Sequence, residues 1–218
     1  IGGELIEALN TVTQVCRYLD LPIQHSHPEI LRAMRRAGSI RQVPDLPAHL
    51  RQEVPGISLR TTCLVGFPGE RESHFRHLLD YVKRTAFDHL GVFVYSPEEG
   101  TAAYRLDGRV SAVTLAERRR RLLAAQQECV RRQGVNRIGQ VEEVLVERRI
   151  TDRDGDRWYG RARSQAPEVD GGTLVTRPGK ALKPGDRIRV RYTGFRGYDR
   201  EGVVSGSGHE KGNGNLQS

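Results

Sequence analysis

Residues 58–70 read SLRTTCLVGFPGE, and residues 72–85 follow as ESHFRHLLDYVKRT. The first run predicts a strand over 58–65, rich in β-branched residues. It stops at Gly66 and turns through Pro68-Gly69, a pair suited to a type II turn. The second run predicts a helix over 72–85, because Phe75, Leu78, Leu79 and Val82 recur at helical spacing. A strand, a glycine-rich turn and an amphipathic helix make one βα unit, and such units build a parallel sheet.

Similar units lie on both sides. Residues 18–23 predict a short strand followed by a helix over 27–36, and a helix over 5–15 precedes them. Residues 46–53 predict a weak helix, since Pro44 and Pro47 disfavour an early start. Residues 90–95 (LGVFVY) predict a buried-type strand, and residues 115–133 a long, arginine-laden amphipathic helix. From Gly139 the texture changes. Five short strands are expected over 141–149, 157–163, 172–176, 186–194 and 198–204, with turn signals at Asp154-Gly155 and Pro184-Gly185. They predict a small antiparallel barrel of the oligonucleotide-binding kind. Residues 205–218 are rich in Gly, Ser and Asn and are expected to form a disordered tail.

Composition narrows the functions. The chain has 218 residues, 37% hydrophobic and 28% charged, as a globular protein does. No run approaches the roughly 18 apolar residues a membrane span needs, and no signal-peptide core is visible at the N-terminus. Cys16, Cys63 and Cys129 stand far apart, which excludes a disulfide scaffold and any contiguous zinc or iron–sulfur motif, and makes a reducing cytoplasm the default. The net charge of +8 is spread along the chain. Attraction to RNA or a ribosome is compatible with it, and charge alone argues weakly for either. Residues 118–121, all Arg, read most simply as the solvated face of a helix, and in a sharper reading as a nucleic-acid contact. The sparse barrel aromatics, with basic neighbours, suit RNA or a protein partner equally.

Three strand ends carry polar residues. In a parallel sheet, ligands bind beyond the carboxyl ends of strands. The 66–70 turn, the Tyr95-Ser96-Pro97 segment and the Gln24-His25 pair are therefore candidates for one rim. Each is also compatible with an ordinary turn or a satisfied loop residue. His25 and His27 make no metal site without further ligands nearby. No catalytic or metal-ligating residue is assigned in the chain.

These residues together resemble a family. The order YLDLPIQH (18–25), RTTCLVGFPGE (60–70), VFVYSPEEGTAA (92–103) and GRARSQAPEVDGG (160–172) is similar to the methylthiotransferases of the radical S-adenosylmethionine superfamily. The APEVDG segment (166–171) resembles the branch that modifies an aspartate of ribosomal small-subunit protein twelve. The resemblance implies an α/β plus all-β chain. Residues 1–137 would be the carboxyl-terminal part of a radical SAM partial (β/α) barrel with a trailing helix, residues 138–205 a TRAM domain and residues 206–218 a tail.

It also implies a chemistry. A 4Fe–4S cluster cleaves S-adenosylmethionine to a 5′-deoxyadenosyl radical, and a second cluster delivers a methylthio group to the aspartate β-carbon. Gly66, Phe67, Pro68, Gly69 and Glu70 would line the adenosylmethionine pocket. Gln24 and Arg60 would face the same cavity, Arg60 toward the methionine carboxylate, and Tyr95 would lie near the adenosine. The chain departs from the family in one respect: it has no CxxxCxxC loop. The expectation is a carboxyl-terminal fragment that alone binds no cluster and has no activity, with an open barrel edge and the small-subunit protein docked on the TRAM domain. The rivals are a tRNA adenosine methylthiotransferase and a non-catalytic RNA- or ribosome-binding module.

Overall fold

The structure is a computed structural model that describes residues 1–36, 38, 44–152, 155–176 and 181–205. It divides into two compact units, Ile1–Val130 and Arg131–Ser218. Among the described residues no helix is long and apolar enough to cross a membrane.

The first unit is organised by β2 (Ser58–Val65) and α4 (Glu72–Thr85). β2 lies between β1 (Tyr18–Gln24) and β3 (His89–Val94), parallel to both. Its side chains alternate: Leu59, Cys63 and Val65 are buried, while Arg60, Thr62 and Leu64 are half-exposed. That period-2 pattern directs the apolar set to one face. There it meets Phe75, Leu78 and Val82 of α4, Leu50 of α3 (Leu46–Glu53), Leu9 of α1 (Gly3–Thr11) and Leu122 of α5 (Ala112–Arg137). Each fully buried Leu or Phe contributes roughly 1.5–3 kcal/mol to this core. The opposite face is open, and Phe93 is 59% exposed on it. Parallel sheets are normally covered on both faces.

Local chemistry sets the element ends. Pro22 sits inside β1, which among the described residues pairs only with β2, so its missing N–H costs no ladder bond. The register slips between Leu21 and Gln24, and Gln24 takes φ 66°. His27 caps α2 (Pro28–Ala33), its Nδ1 accepting from Glu29 N–H. α1 ends at Thr11, four residues short of the expected stop, because Val12 leaves helical geometry at ψ 102°. α4 ends on Ala86 at φ 47°, and Arg51 donates to the carbonyls of Thr85 and Ala86 at 2.6 and 2.9 Å.

The second unit holds a closed barrel in the order β4-β5-β6-β8-β7. Its strands are β4 (Val141–Asp152), β5 (Gly155–Ala162), β6 (Thr173–Thr176), β7 (Arg187–Arg196) and β8 (Asp199–Val204). β6 and β8 pair in parallel, and the other pairs are antiparallel. β7 alternates strictly: Ile188, Val190 and Tyr192 point in, while Arg187, Arg189 and Arg191 point out. Asp154 of the expected first turn and the expected tail from residue 206 lie outside the described residues.

Candidate functional site

The carboxyl ends of the three parallel strands fall at one end of the sheet. β2 runs out into Gly66, at φ 82°. This left-handed backbone suits glycine, and a Cβ there would stand 1.9 Å from Leu115 Cδ2. Phe67 is buried, and its ring meets Tyr95 edge-on at 5.4 Å. Tyr95 N–H donates to Val65 C=O, which fastens the third strand end to the second. The Tyr95 hydroxyl is buried and has no hydrogen-bond partner among the described residues. Gly69 N–H donates to Gly108 C=O at 3.0 Å.

Glu70 turns inward. Its carboxylate accepts from Gly66 N–H at 2.6 Å and from Arg118 at 2.9 Å. Burial pushes the Glu70 carboxyl above its ordinary range, against the pull of the Gly66 N–H and the Arg118 charge. Glu70 therefore braces the turn from within. Arg60 lies lower on the half-exposed face of β2. Its Nε donates to Asp20 at 3.2 Å, and its guanidinium reaches over Gly91 of β3. Gln24 is half-buried at the end of β1. The structure thus brings Gln24, the 66–70 turn and Tyr95 to one rim. It places Arg60 five residues before Val65, about 16 Å down the strand at the usual rise.

The 118–121 run corrects the reading of a solvated face. At about 100° per residue, four consecutive arginines point around the whole helix. Arg118 is buried against Glu70, and Arg121 pairs with Glu72 at 2.9 Å. Both stack on Phe75, at 5.5 and 4.7 Å. Arg119 and Arg120 are exposed, Arg119 donating to Val92 C=O and Arg120 paired with Glu117. A cavity of about 700 Å³ lies beside this helix, lined by Val94, Leu115, Ala116, Arg119, Leu123 and Gln127. None of the rim residues named from the sequence lines it.

His25 is buried rather than open to the rim. Its Nδ1 accepts from His27 N–H, and burial followed by the neighbouring His27 lowers its pKa to about 3. Around it the sequence left a cluster unseen. His74 and His77 of α4 approach His27, with ring centroids at 4.4 and 5.2 Å. Burial first, then neighbouring charges, hold His27 and His77 below the usual histidine range.

The rim offers two features suited to an adenosyl ligand: the buried Tyr95 hydroxyl, partnerless among the described residues, and the Phe67–Tyr95 aromatic pair. Iron–sulfur clusters do not fit these residues. Cys63 and Cys129 are buried, Cys16 is exposed, and burial pushes the Cys63 thiol up to about 12. Among the described residues, the one metal-capable group contains no cysteine.

The fold defines a class: a partial parallel α/β sheet followed in sequence by a small closed barrel. Residues 138–204 match the TRAM domain. A solved radical SAM enzyme, coproporphyrinogen III oxidase (HemN) from Escherichia coli, shares the fold at a TM-score of 0.50 and 14% identity, over 75% of this chain and 44% of that one. More particularly, the chain is similar to ribosomal protein uS12 methylthiotransferases. It is 41% identical to that of Desulfitobacterium hafniense over 92% of its length, and 45% identical to that of a Synechococcus species over 94%. The resemblance to the methylthiotransferases thus runs along nearly the whole chain. The chain spans 44% and 43% of the length of those two relatives.

Proposed function

We propose that this chain is the carboxyl-terminal part of an enzyme that adds a methylthio group to the β-carbon of an aspartate in ribosomal protein uS12. The observation that carries the reading is the identity of 41% and 45%, over nine-tenths of the chain, to relatives bearing that name. In this assignment residues 1–137 complete a radical SAM barrel and residues 138–205 form the TRAM domain, and the protein works in the cytoplasm. Bound S-adenosylmethionine and two 4Fe–4S clusters supply the radical and the sulfur, with the cluster ligands outside this chain.

The chain's own part is orientation and exclusion of water. Gly66 admits Leu115 against the turn, exposed Gly69 leaves its backbone open to a ligand, and Glu70 and Arg118 hold the turn from within. Phe67 and Tyr95 present an aromatic wall, and the Tyr95 hydroxyl is free to donate to a ligand. Arg60, released from Asp20, is the cation for a carboxylate. Gln24 closes the rim from β1. Supporting this, the face of the described sheet that bears Arg60 leaves Phe93 59% exposed, where a barrel interior would lie.

The TRAM domain docks uS12 in this reading, and RNA binding is the rival. Residues 139–205 carry 14 basic and 11 acidic groups, a weak footprint for a phosphate backbone. Titrating residues 131–205 with uS12 and with tRNA tests it. Saturable binding to uS12 with a shallow salt slope is expected. Tight tRNA binding with a steep salt slope, and none to uS12, overturns the docking assignment.

A further inference from the structure

His27, Glu29 and His74 each present a ligand atom, and the three atoms lie within 4.8 Å of one another. We propose that these residues form a binding site for a divalent transition-metal ion of the zinc class, clipping the β1–α2 connection to the start of α4. The donor chemistry is two imidazoles and one carboxylate, a set that zinc takes with a further position left to water or another ligand.

The geometry supports the site from both sides. His27 is the N-cap of α2, Glu29 lies in its first turn, and His74 lies in the first turn of α4. His74 Nε2 stands 3.1 Å from Glu29 Oε2, close to the edge of a tetrahedron built on zinc–ligand bonds of about 2.0–2.1 Å. The His27 and His74 rings are tilted by 37°, with centroids 4.4 Å apart. His74 is buried, His27 is half-buried and the Glu29 side chain is 62% exposed, so an ion has a way in from solvent. His77, edge-on to His27 and bonded to Ser26 Oγ at 2.8 Å, walls the far side.

Two hydrogen bonds resist loading. Nδ1 of His27 accepts from Glu29 N–H at 3.3 Å, and Nδ1 of His74 accepts from Arg71 N–H at 3.2 Å. Each neutral ring therefore keeps its proton on Nε2. A metal on Nε2 moves that proton to Nδ1 and breaks the cap bond. The site is thus weaker than a closed four-ligand structural site, and loading exchanges two long cap bonds for metal–nitrogen bonds. The two histidines are 47 positions apart, which hides the set from any reading of local spacing.

The test titrates the chelator-treated 218-residue chain with Zn²⁺ by calorimetry, and with Co²⁺ by visible spectroscopy. The expected result is one Zn²⁺ per folded chain, a Co²⁺ spectrum of tetrahedral intensity, and a rise in Tm on Zn²⁺ addition. Glu29→Gln and His74→Asn should each weaken Zn²⁺ binding at least tenfold and abolish the Co²⁺ bands. Glu29 is exposed, so its variant folds. Asn at 74 keeps an acceptor for the Arg71 N–H. His49→Gln, on α3, should change nothing. No saturable Zn²⁺ binding overturns the proposal. So does binding that both variants leave unchanged, or binding that is lost with His49.

Discussion

At the residue scale the Arg118–Glu70 pair decides how the rim turn is held. Both side chains are essentially buried, at 6% and 0% exposure. Removing one partner of such a pair leaves a charge in a poor solvent and costs about 3–5 kcal/mol. Arg118→Met should therefore lower the unfolding free energy of the chain by about 3 kcal/mol in a urea titration. Loss under 1 kcal/mol would mean that Glu70 is held by Gly66 N–H alone. The cysteines give a second reading. Cys63, with its thiol pushed up to about 12 by burial, stays protonated at pH 8 and should resist alkylation in the native chain. Exposed Cys16 should react at once. Mass spectrometry after brief iodoacetamide treatment should find one label, at Cys16. Labelling of Cys63 at the same rate would contradict its placement in the core.

At the element scale, what was legible in the sequence was local. β2 and α4 occupy 58–65 and 72–85 as their periodicity predicts, because alternation and helical spacing are written in neighbouring residues. The barrel strands were legible for the same reason, and RIRVRY over 187–192 shows it plainly. Side-chain partners were not legible. Arg118 and Glu70 are 48 positions apart, so a run of arginines looked like a solvated face. Nothing in the residues around His74 points to His27, 47 positions away, which the packing of α4 brings beside it. The C-terminus of α4 yields a prediction at this scale. Ala86 holds the left-handed cap conformation that glycine adopts without strain. Ala86→Gly should stabilise the chain by about 0.5–1 kcal/mol, read as a higher Tm. A lower Tm would show that the Ala86 methyl contributes more to packing than its backbone costs.

At the scale of the whole molecule, the barrel closes through its own network. Arg200, 7% exposed, donates to Glu142 at 3.0 Å, Ser164 at 2.8 Å and the Tyr192 hydroxyl at 3.2 Å. Arg137 reaches Glu142 from the preceding helix. These bonds lie within the second unit, so residues 131–205 should unfold as one cooperative transition when expressed alone, and Arg200→Ala should cost that fragment about 2–4 kcal/mol. A non-cooperative melt of the wild-type fragment would contradict it. The sheet of the first unit is the complementary case: Phe93, 59% exposed on one face, suits the interior of a larger barrel. The proposed function makes uS12 the substrate. The most direct measurement is the intact mass of uS12 from a strain lacking the gene, complemented with the full-length protein, wild-type or Gly66→Val. The methylthio increment should disappear in the deletion, return with wild type and fail to return with Gly66→Val. An unchanged uS12 mass in the deletion, with tRNA losing a methylthio group instead, would contradict it.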